Sequence, residues 1–366
     1  MSGDTQLERT LRRNESAETL RADFSAALES LDRSIGEFHF VTVPANRPPW
    51  TATGIQITTN DRVSLFCAGR ASTPYAWVGA HFGLWIRIGE RGPIFRAARG
   101  SITFTAEHSG ELFLANLFPG AWADENGALA SSPAIFGKVS GTYEVLIIRW
   151  RSDPAAGLQK LADRRGRAAE IAQAELGALQ NPIKLPPGWK YMWWAGDAQC
   201  FGASAENGIR CEVVDEATIL QKTAHAPFTS ATRLRWSWKV DQLPSARAED
   251  SVAHHDYLSI AVEFDNGRDI TYFWSSAIEP ERSFHCPIPS WSNRETHVVA
   301  RSGVRDLGKW IDEDRELWRD YARAIGEPPS RIVAVWLIAV GVFQHSVGRC
   351  EYRNIEIVNG SEILRV

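Results

Sequence analysis

The chain has 366 residues, of which 44% are hydrophobic and 23% charged, and its formal net charge is −4. At about 150 residues per domain, this length predicts about two domains with connecting segments. The balanced composition excludes a disordered polyelectrolyte, and the lack of a basic excess leads us to expect no nucleic-acid partner.

The N-terminal region is predicted to be helical. Within residues 5–34, Leu20, Phe24 and Leu28 recur near the spacing of one helix face, and Leu11 and Leu31 extend the series. We therefore predict an N-terminal helix within residues 1–36. Its apolar face offers a contact for a homo-oligomer.

The sequence shows neither a targeting pattern nor a membrane span. The first 34 residues lack the apolar core of a secretory signal. The longest apolar run, residues 332–343, is shorter than the roughly 20 residues that cross a bilayer. We therefore expect a cytoplasmic protein with no membrane partner. Its five cysteines are widely spaced without a C-x-x-C pair, which favours buried free thiols over disulfides or structural zinc.

The sequence patterns of the remaining chain alternate between β-rich and helical. Residues 37–152 contain short β-rich runs broken by Gly, Pro and Asn, and residues 189–366 contain longer ones with a helix-like insert at residues 312–325. Residues 153–188 have a helical period that ends in a Pro-rich stretch, so we predict a helical linker there. The predicted fold is mainly β: two antiparallel, jelly-roll-like β-sandwiches joined by that linker and preceded by the N-terminal helix.

The first predicted sandwich carries an ordered set of short motifs. They are Trp-x-x-Thr-Gly from Trp50, Ala-Gly at residues 68–69, Gly-x-Leu from Gly110, and Asn-x-x-Pro-Gly from Asn116. In this order they resemble the small bacterial lectins that bind galactose through calcium. The resemblance implies a calcium site in the loop, with ligands at Asn116, Asp124 and Glu125.

The loop also departs from the lectin pattern. Leu117 stands where the family has a carboxylate, and calcium needs about six to eight oxygen ligands. The loop therefore either binds calcium or only keeps the turn geometry that its Pro and Gly impose. Trp122, beside the loop, is either a stacking platform for a sugar or part of the core.

The second predicted sandwich contains Leu-x-Trp-x-Trp-Lys-Val-x-x-Leu-Pro from Leu234 and Gly-x-Pro-Pro-x-x-Ile from Gly326. These motifs resemble domain-of-unknown-function family 3047, a bacterial domain family. The resemblance implies a jelly-roll-like fold and brings no activity with it.

Period-two alternation sorts the strands of the second sandwich into an apolar and a polar face. If these strands are neighbours, their polar positions form one surface that could hold a ligand. The predicted ligand-binding residues are Arg235, Lys239, Tyr257, His297 and Arg301, with Glu263 on the same surface and Tyr272 or Trp274 beside them. The alternative is a solvated sheet face with paired charges.

Two short segments carry candidate catalytic side chains. His254, His255 and Asp256 precede a predicted strand, where imidazole and carboxylate suit acid/base work or metal binding, or simply form a rim loop. His285 and Cys286 would form a nucleophile and base only if folding placed another histidine near the thiol.

Two functional hypotheses follow. The first is a protein that recognises a carbohydrate or other small-molecule ligand on the polar face of the second sandwich. The alternative is a saccharide-active hydrolase or lyase, in which Glu263 or Asp256 and a histidine such as His255 form the acid/base pair and the first sandwich is an accessory module. No cofactor is certain from the sequence, and calcium is the candidate.

Overall fold

A computed structural model describes residues 17–29, 35–47 and 49–366. The chain forms two compact units, Met1–Pro182 and Ile183–Val366. Both are built mainly from β-strands, which confirms the predicted fold class. None of the helices in the described ranges has both the length and the apolar character to cross a membrane.

The first unit is a two-sheet sandwich with helices beside it. Its helices are α1 (Ala17–Glu29), α2 (Ala80–Gly83), α3 (Pro154–Ala162) and α4 (Arg167–Gln180). Its strands are β1 (Gly36–Pro44), β2 (Thr51–Ile57), β3 (Arg62–Ser72), β4 (Trp77–Gly79), β5 (Leu84–Ile88), β6 (Phe95–Arg96), β7 (Ser101–Thr105), β8 (Gly110–Asn116) and β9 (Ser140–Trp150). One sheet has the order β1-β9-β3-β4 with β7 also paired to β3, and the other has the order β2-β8-β5-β6.

The helices of this unit pack on the five-stranded sheet. Leu20 and Phe24 of α1 are buried in the same cluster as Phe66 of β3, and Leu158 of α3 and Leu176 of α4 join it. The predicted linker helices therefore belong to the first unit, because their apolar faces cover its sheet. The apolar face of α1 is used in the same way, and homo-oligomer contact through it stays a prediction. The predicted helix positions Leu11 and Leu31 lie outside the described residues.

The second unit is a larger two-sheet sandwich. Its strands are β10 (Lys190–Tyr191), β11 (Phe201–Ala203), β12 (Ile209–Val214), β13 (Ala217–Pro227), β14 (Thr232–Gln242), β15 (Leu258–Phe264), β16 (Asp269–Ser275), β17 (Ser283–His285), β18 (Glu295–Ser302), β19 (Ile311–Arg315), β20 (Arg331–Val340), β21 (Val347–Asn359) and β22 (Glu362–Arg365). Helix α5 spans Leu317–Ala324. The seven-stranded sheet has the order β10-β13-β20-β15-β16-β18-β17, and the six-stranded sheet has the order β11-β12-β21-β14-β19 with β22 on β21.

Two details of this unit differ from the sequence prediction. The pair β16/β18 is parallel within an otherwise antiparallel sheet. The insert predicted as helical over residues 312–325 begins as strand β19 and becomes helical only at Leu317. Hydrogen bonding to β14 makes this charged segment an edge strand.

Aromatic side chains fill the space between the two sheets. Trp236 and Trp238 of β14 meet Tyr272 and Trp274 of β16, with ring centroids 5.6 Å and 5.5 Å apart. Because successive strand residues point to opposite faces, the alternate positions of β15, β16 and β18 lie on the outer face of the seven-stranded sheet. That outer face carries the candidate site.

Candidate functional site

Four buried side chains form one cluster at the outer face of the seven-stranded sheet. They are His255, Cys286, Glu295 and His297, called here the donor cluster. Their ligand atoms all lie within 4.8 Å of one another. Among the described residues, this is the only group of three or more His, Cys, Asp or Glu side chains gathered so closely. A transition-metal ion could be held there.

His255, which lies just before β15, has a defined tautomer. His255 follows a 3-10 turn at Val252–His254, and its Nδ1 lies 2.6 Å from the backbone oxygen of Glu249. A carbonyl oxygen only accepts, so Nδ1 carries the proton and donates it. The free lone pair of Nε2 then faces the Cys286 thiol, whose Sγ is 3.3 Å away.

The other two members come from one strand. Glu295 and His297 are two residues apart on β18, so both side chains project to the same face. The Nε2 atom of His297 lies 3.4 Å from Oε1 of Glu295. That same oxygen accepts a hydrogen bond from the Tyr257 hydroxyl at 2.9 Å and a longer one from Thr271 at 3.4 Å.

Aromatic rings fix the orientation of His297. The ring of Phe284 stacks on it at 5.2 Å and 13°, and the rings of Tyr257 and Phe273 meet it edge-on. The side chain is fully buried, yet neither ring nitrogen makes a hydrogen bond. Burying a polar group without a hydrogen bond is costly, and the ion-pair contact of Nε2 with Glu295 at 3.4 Å offsets this cost.

Burial and mutual charge set the protonation states of the cluster. Burial, followed by repulsion from His297, lowers the pKa of His255 to about 3. Burial alone would raise the pKa of Glu295, but the nearby His297 outweighs it and holds that pKa below its usual value. Burial raises the pKa of Cys286, and the charge of Glu295 raises it further.

The folded chain therefore does bring a second histidine to Cys286, namely His255 and not the neighbouring His285. His285 is exposed and contacts Thr296 at 3.4 Å. Reactive thiols have lowered pKa values and partial exposure, whereas Cys286 is 1% exposed with a raised pKa. The geometry thus does not favour a nucleophile.

Asp256 is not a member of the donor cluster and its carboxylate braces a loop, so its catalytic role stays a prediction. Its Oδ1 accepts the backbone N–H of Phe343 at 3.0 Å, and its Oδ2 accepts that of Gln344 at 2.7 Å. Burial raises its pKa to about 6. Its carboxylate oxygens hold the connection between β20 and β21.

Glu263 lies near the other end of β15 from His255, so the two do not form an acid/base pair. Its Oε1 instead accepts a hydrogen bond from Arg294 Nη2 at 2.8 Å. Burial raises the pKa of Glu263, and Arg294 opposes the rise.

Tryptophans surround this ion pair. The guanidinium of Arg294 lies over the rings of Trp291 and Trp336, at 5.4 Å and 4.8 Å. Trp194 contacts Trp291 at a centroid distance of 5.1 Å, and both rings are half-buried. We call Trp194, Trp291 and Trp336, with Arg294 and Glu263, the tryptophan rim.

The predicted continuous ligand surface is not formed. Arg235 and Lys239 lie on β14 of the six-stranded sheet, where they pair with Asp314 and Glu351 at 3.2 Å and 2.7 Å. They are therefore on a different sheet from Tyr257, Glu263 and His297. Period two assigns faces within a strand but does not identify its neighbours.

Three further predicted residues face the interior. Tyr272 and Trp274 are buried between the sheets, where Tyr272 donates its hydroxyl to Asp320 and Trp274 donates its Nε1–H to the Gly303 carbonyl. A register shift after Phe273 turns Arg301 away from the face of His297. Arg301 donates instead to Glu313 of β19 at 2.7 Å. These three side chains therefore make structural contacts in place of the predicted contacts with a ligand.

Trp122 of the first unit is a core residue. It is 6% exposed, stacks on Trp50 at 5.2 Å and meets Trp85 edge-on at 5.9 Å. Its interpretation as a sugar platform is therefore wrong, because both neighbouring rings cover it.

The loop predicted to bind calcium uses its oxygens internally. Asn116 is buried, and its Oδ1 accepts hydrogen bonds from the Tyr143 hydroxyl and the Phe118 N–H. Exposed Asp124 accepts backbone N–H groups within its own turn, and Glu125 is also exposed. The structure does not bring Asn116 together with the two carboxylates as free ligands. Calcium binding in this loop stays a prediction.

Fold and site together define a two-unit β-sandwich protein with a buried His–Cys–Glu cluster on one sheet of its second unit. Residues 201–356 match the family model described as "Protein of unknown function (DUF3047)". The resemblance drawn from the motifs of the second sandwich is thereby confirmed for these residues. No curated protein matches the chain.

Several solved structures are similar to the chain. One, titled "EclA N-terminal domain; PllA-like lectin", is 15% identical with a TM-score of 0.23, covering 30% of this chain and 94% of that chain. The xyloglucanase domain of NopAA, a type three effector from Sinorhizobium fredii in complex with cellobiose, is 10% identical with a TM-score of 0.29, covering 43% of this chain and 84% of that chain. TmCBM61 in complex with beta-1,4-galactotriose is 11% identical with a TM-score of 0.23, covering 50% of this chain and 91% of that chain. Similarity at this level carries no conclusion about activity.

Proposed function

We propose that the second unit binds a saccharide at the tryptophan rim. The observation that carries this proposal is the half-buried Trp194–Trp291 pair beside the Glu263–Arg294 ion pair. Binding sites for small molecules combine aromatic surface with a few placed polar groups. Sugar rings match this set, because their C–H faces pack on indole rings while their hydroxyls hydrogen-bond to carboxylates and guanidinium groups.

The polar pair is positioned to select hydroxyls. Arg294 has a 34% exposed side chain and Glu263 a 16% exposed one, so both can be reached from solvent. The guanidinium contacts the rings of both Trp291 and Trp336, which restrict its movement. A pre-organised charge pair loses less conformational entropy on binding than two mobile side chains would.

Removing Trp291 tests the proposal. We expect W291A to weaken binding of β-1,4-galactotriose or cellobiose by about 30-fold, since truncating an anchoring tryptophan costs about 2 kcal/mol. The measurement is isothermal titration calorimetry on the full chain. The matched control is W310A, which removes a half-buried tryptophan outside the rim, where the Arg353 guanidinium covers its ring. Equal affinities of the two variants, or no response of the wild type to either sugar, would remove the proposal.

A second candidate, saccharide hydrolysis, is favoured by one observation. Glu263 of β15 is the register partner of Asp269 of β16, which is in turn the partner of Glu295 of β18. Directly opposite residues are neighbours across a sheet, and a pair of neighbouring carboxyl groups is what glycoside hydrolysis needs. Asp269 and Glu295 are buried, however, so binding ranks first.

The E263Q variant separates the two candidates when the release of reducing ends from the sugar is measured beside the binding affinity. A hydrolase would lose the release of reducing ends and keep its affinity for the sugar. A binding protein releases no reducing ends in either form.

A further inference from the structure

We propose that the donor cluster binds one Zn²⁺ ion that stabilises the second unit. The proposal goes beyond saccharide binding and uses none of the tryptophan-rim residues. It rests on the identity, spacing and surroundings of the four donors.

The donor types select the metal. Two imidazoles, one thiolate and one carboxylate are the ligands that tetrahedral zinc sites use, whereas calcium and magnesium prefer oxygen alone. A divalent ion with one thiolate and one carboxylate also has no net charge. Neutrality suits this location, because all four side chains are buried.

The donor spacing is close to that of a tetrahedral site for two of the six pairs of ligand atoms. Metal–ligand distances of about 2.0–2.3 Å require ligand atoms about 3.3–3.6 Å apart. The thiol of Cys286 and Nε2 of His255 are 3.3 Å apart, and Nε2 of His297 and Oε1 of Glu295 are 3.4 Å apart. These two edges fit without movement, and the remaining pairs need to shorten from at most 4.8 Å.

Groups around the donors support metal binding. His255 donates its Nδ1–H to the Glu249 carbonyl, the contact that typically orients a zinc-bound imidazole. The hydroxyl of Tyr257 donates to Oε1 of Glu295, the oxygen that lies nearest His297, and so fixes the position of this carboxylate. His297 makes no hydrogen bond at either nitrogen, and its Nε2 lies 3.4 Å from Oε1 of Glu295, a separation that suits two atoms bound to one ion.

Binding balances as a proton exchange. The Cys286 S–H loses its proton to bulk buffer and the thiolate takes the metal. Any proton on Nε2 of His297 leaves to the buffer in the same way, so that both imidazoles bind through neutral nitrogen atoms. Four protein ligands in a buried site leave no coordination position for substrate. The site is therefore a structural one, filled as the chain folds.

Cobalt substitution provides the test. The full chain is unfolded in urea with a chelator, refolded, and titrated with Co²⁺. We expect one Co²⁺ per chain, with the intense visible absorption of a four-coordinate ion and a thiolate-to-cobalt charge-transfer band in the near ultraviolet. Zn²⁺ should displace the cobalt and raise the thermal midpoint, and chelator should lower it. Absence of the charge-transfer band from the wild type would overturn the proposal.

Cysteine variants locate the ion. C286A should abolish the charge-transfer band, whereas C350A should retain it, because Cys350 is equally buried but stands opposite Cys211 on β12. A band that survives in C286A, or one that disappears in C350A alone, contradicts the assignment. If C286A does not fold, Y257F keeps the test decisive. This substitution removes only the hydroxyl that donates to Glu295, and it should weaken Co²⁺ binding by about 10- to 100-fold. An unchanged affinity for Co²⁺ would count against the site.

This test and the saccharide test can fail independently. W291A should bind Co²⁺ like the wild type, because Trp291 is not one of the donors. Loss of cobalt binding in W291A would contradict the separation of the two sites.

Discussion

Replacing Arg315 by alanine is expected to lower the free energy of unfolding of the second unit by about 3 kcal/mol, because it leaves a buried carboxylate without its main cation. Arg315 of β19 donates to Asp320 of α5 at 2.9 Å, and the two side chains are 14% and 7% exposed. Asp320 would keep the Tyr272 hydroxyl and a 3.3 Å contact with Arg323, so we expect the lower end of the range for broken buried pairs.

The measurement is urea denaturation of the full chain, in which R315A should shift the transition of one unit and leave the other in place. The matched control is R319A, on the same helix as Asp320. Arg319 is 75% exposed and pairs with Glu316, so its loss should cost about 0.5 kcal/mol or less. If R315A and R319A cost the same, the buried network does not hold α5 to the sheet.

The contact of Arg315 with Glu281 also predicts that the stability of the second unit falls in acid. Hydrogen bonds from Arg315, and then from Arg323, lower the pKa of Glu281 from 4.5 to about 2. Since the folded pKa lies below the unfolded one, the stability from Glu281 is present above about pH 4.5 and is lost as the pH falls toward about 2. Glu281 is 50% exposed, so solvent screening keeps this contribution small. R315A should reduce the slope of stability against pH in that window, and an unchanged slope would contradict the pairing.

Replacing Trp238 by alanine is expected to cost about 3–5 kcal/mol, the usual range for truncating a buried aromatic side chain. Trp238 is fully buried between Trp236 and Trp274, and its Nε1–H donates to Glu313 at 3.1 Å. The substitution leaves a large cavity between the sheets and removes a hydrogen bond from a carboxylate that Arg301 also contacts.

Two further variants, W238F and W310A, serve as controls for this prediction. W238F keeps a ring in the cavity and should recover part of the loss, whereas W310A should cost about 1 kcal/mol or less because its main contact is a cation–π interaction. Free energies of unfolding from urea denaturation check all three. A loss in W238A no greater than that in W310A would show that Trp238 does not anchor the two sheets.

The sequence predicts local structure well where the signal is short-range. The run at residues 232–240 lies within β14, and its alternation correctly puts Trp236 and Trp238 in the core. The strand conformation of the charged segment before α5 could not be predicted in this way. Its residues form strand β19 because the edge of β14 offers hydrogen bonds, and because Arg233 of β14 pairs with Asp314 there.

Local sequence patterns identified only part of the candidate site. The sequence pointed to the histidine pair at residues 254–255 and to the His–Cys pair at residues 285–286, but each pair contributes only its second member, His255 or Cys286, to the donor cluster. His285 ends strand β17 and is exposed while the next residue, Cys286, is buried, whereas His254 belongs to the 3-10 turn that precedes the buried His255. Glu295 was not singled out, although the Glu-x-His spacing on a strand puts it on the same face as His297.

The sequence by itself determined the β class, most of the strands, the two sandwiches and the apolar alternation of each strand, because these depend on neighbours a few residues apart. Only the tertiary structure decided which strands share a sheet, and it thereby separated Arg235 from His297. It also gathered four donors spread over residues 255–297 into one buried cluster. Strand order and loop closure are set by packing of the whole unit, so no local pattern could reveal this cluster.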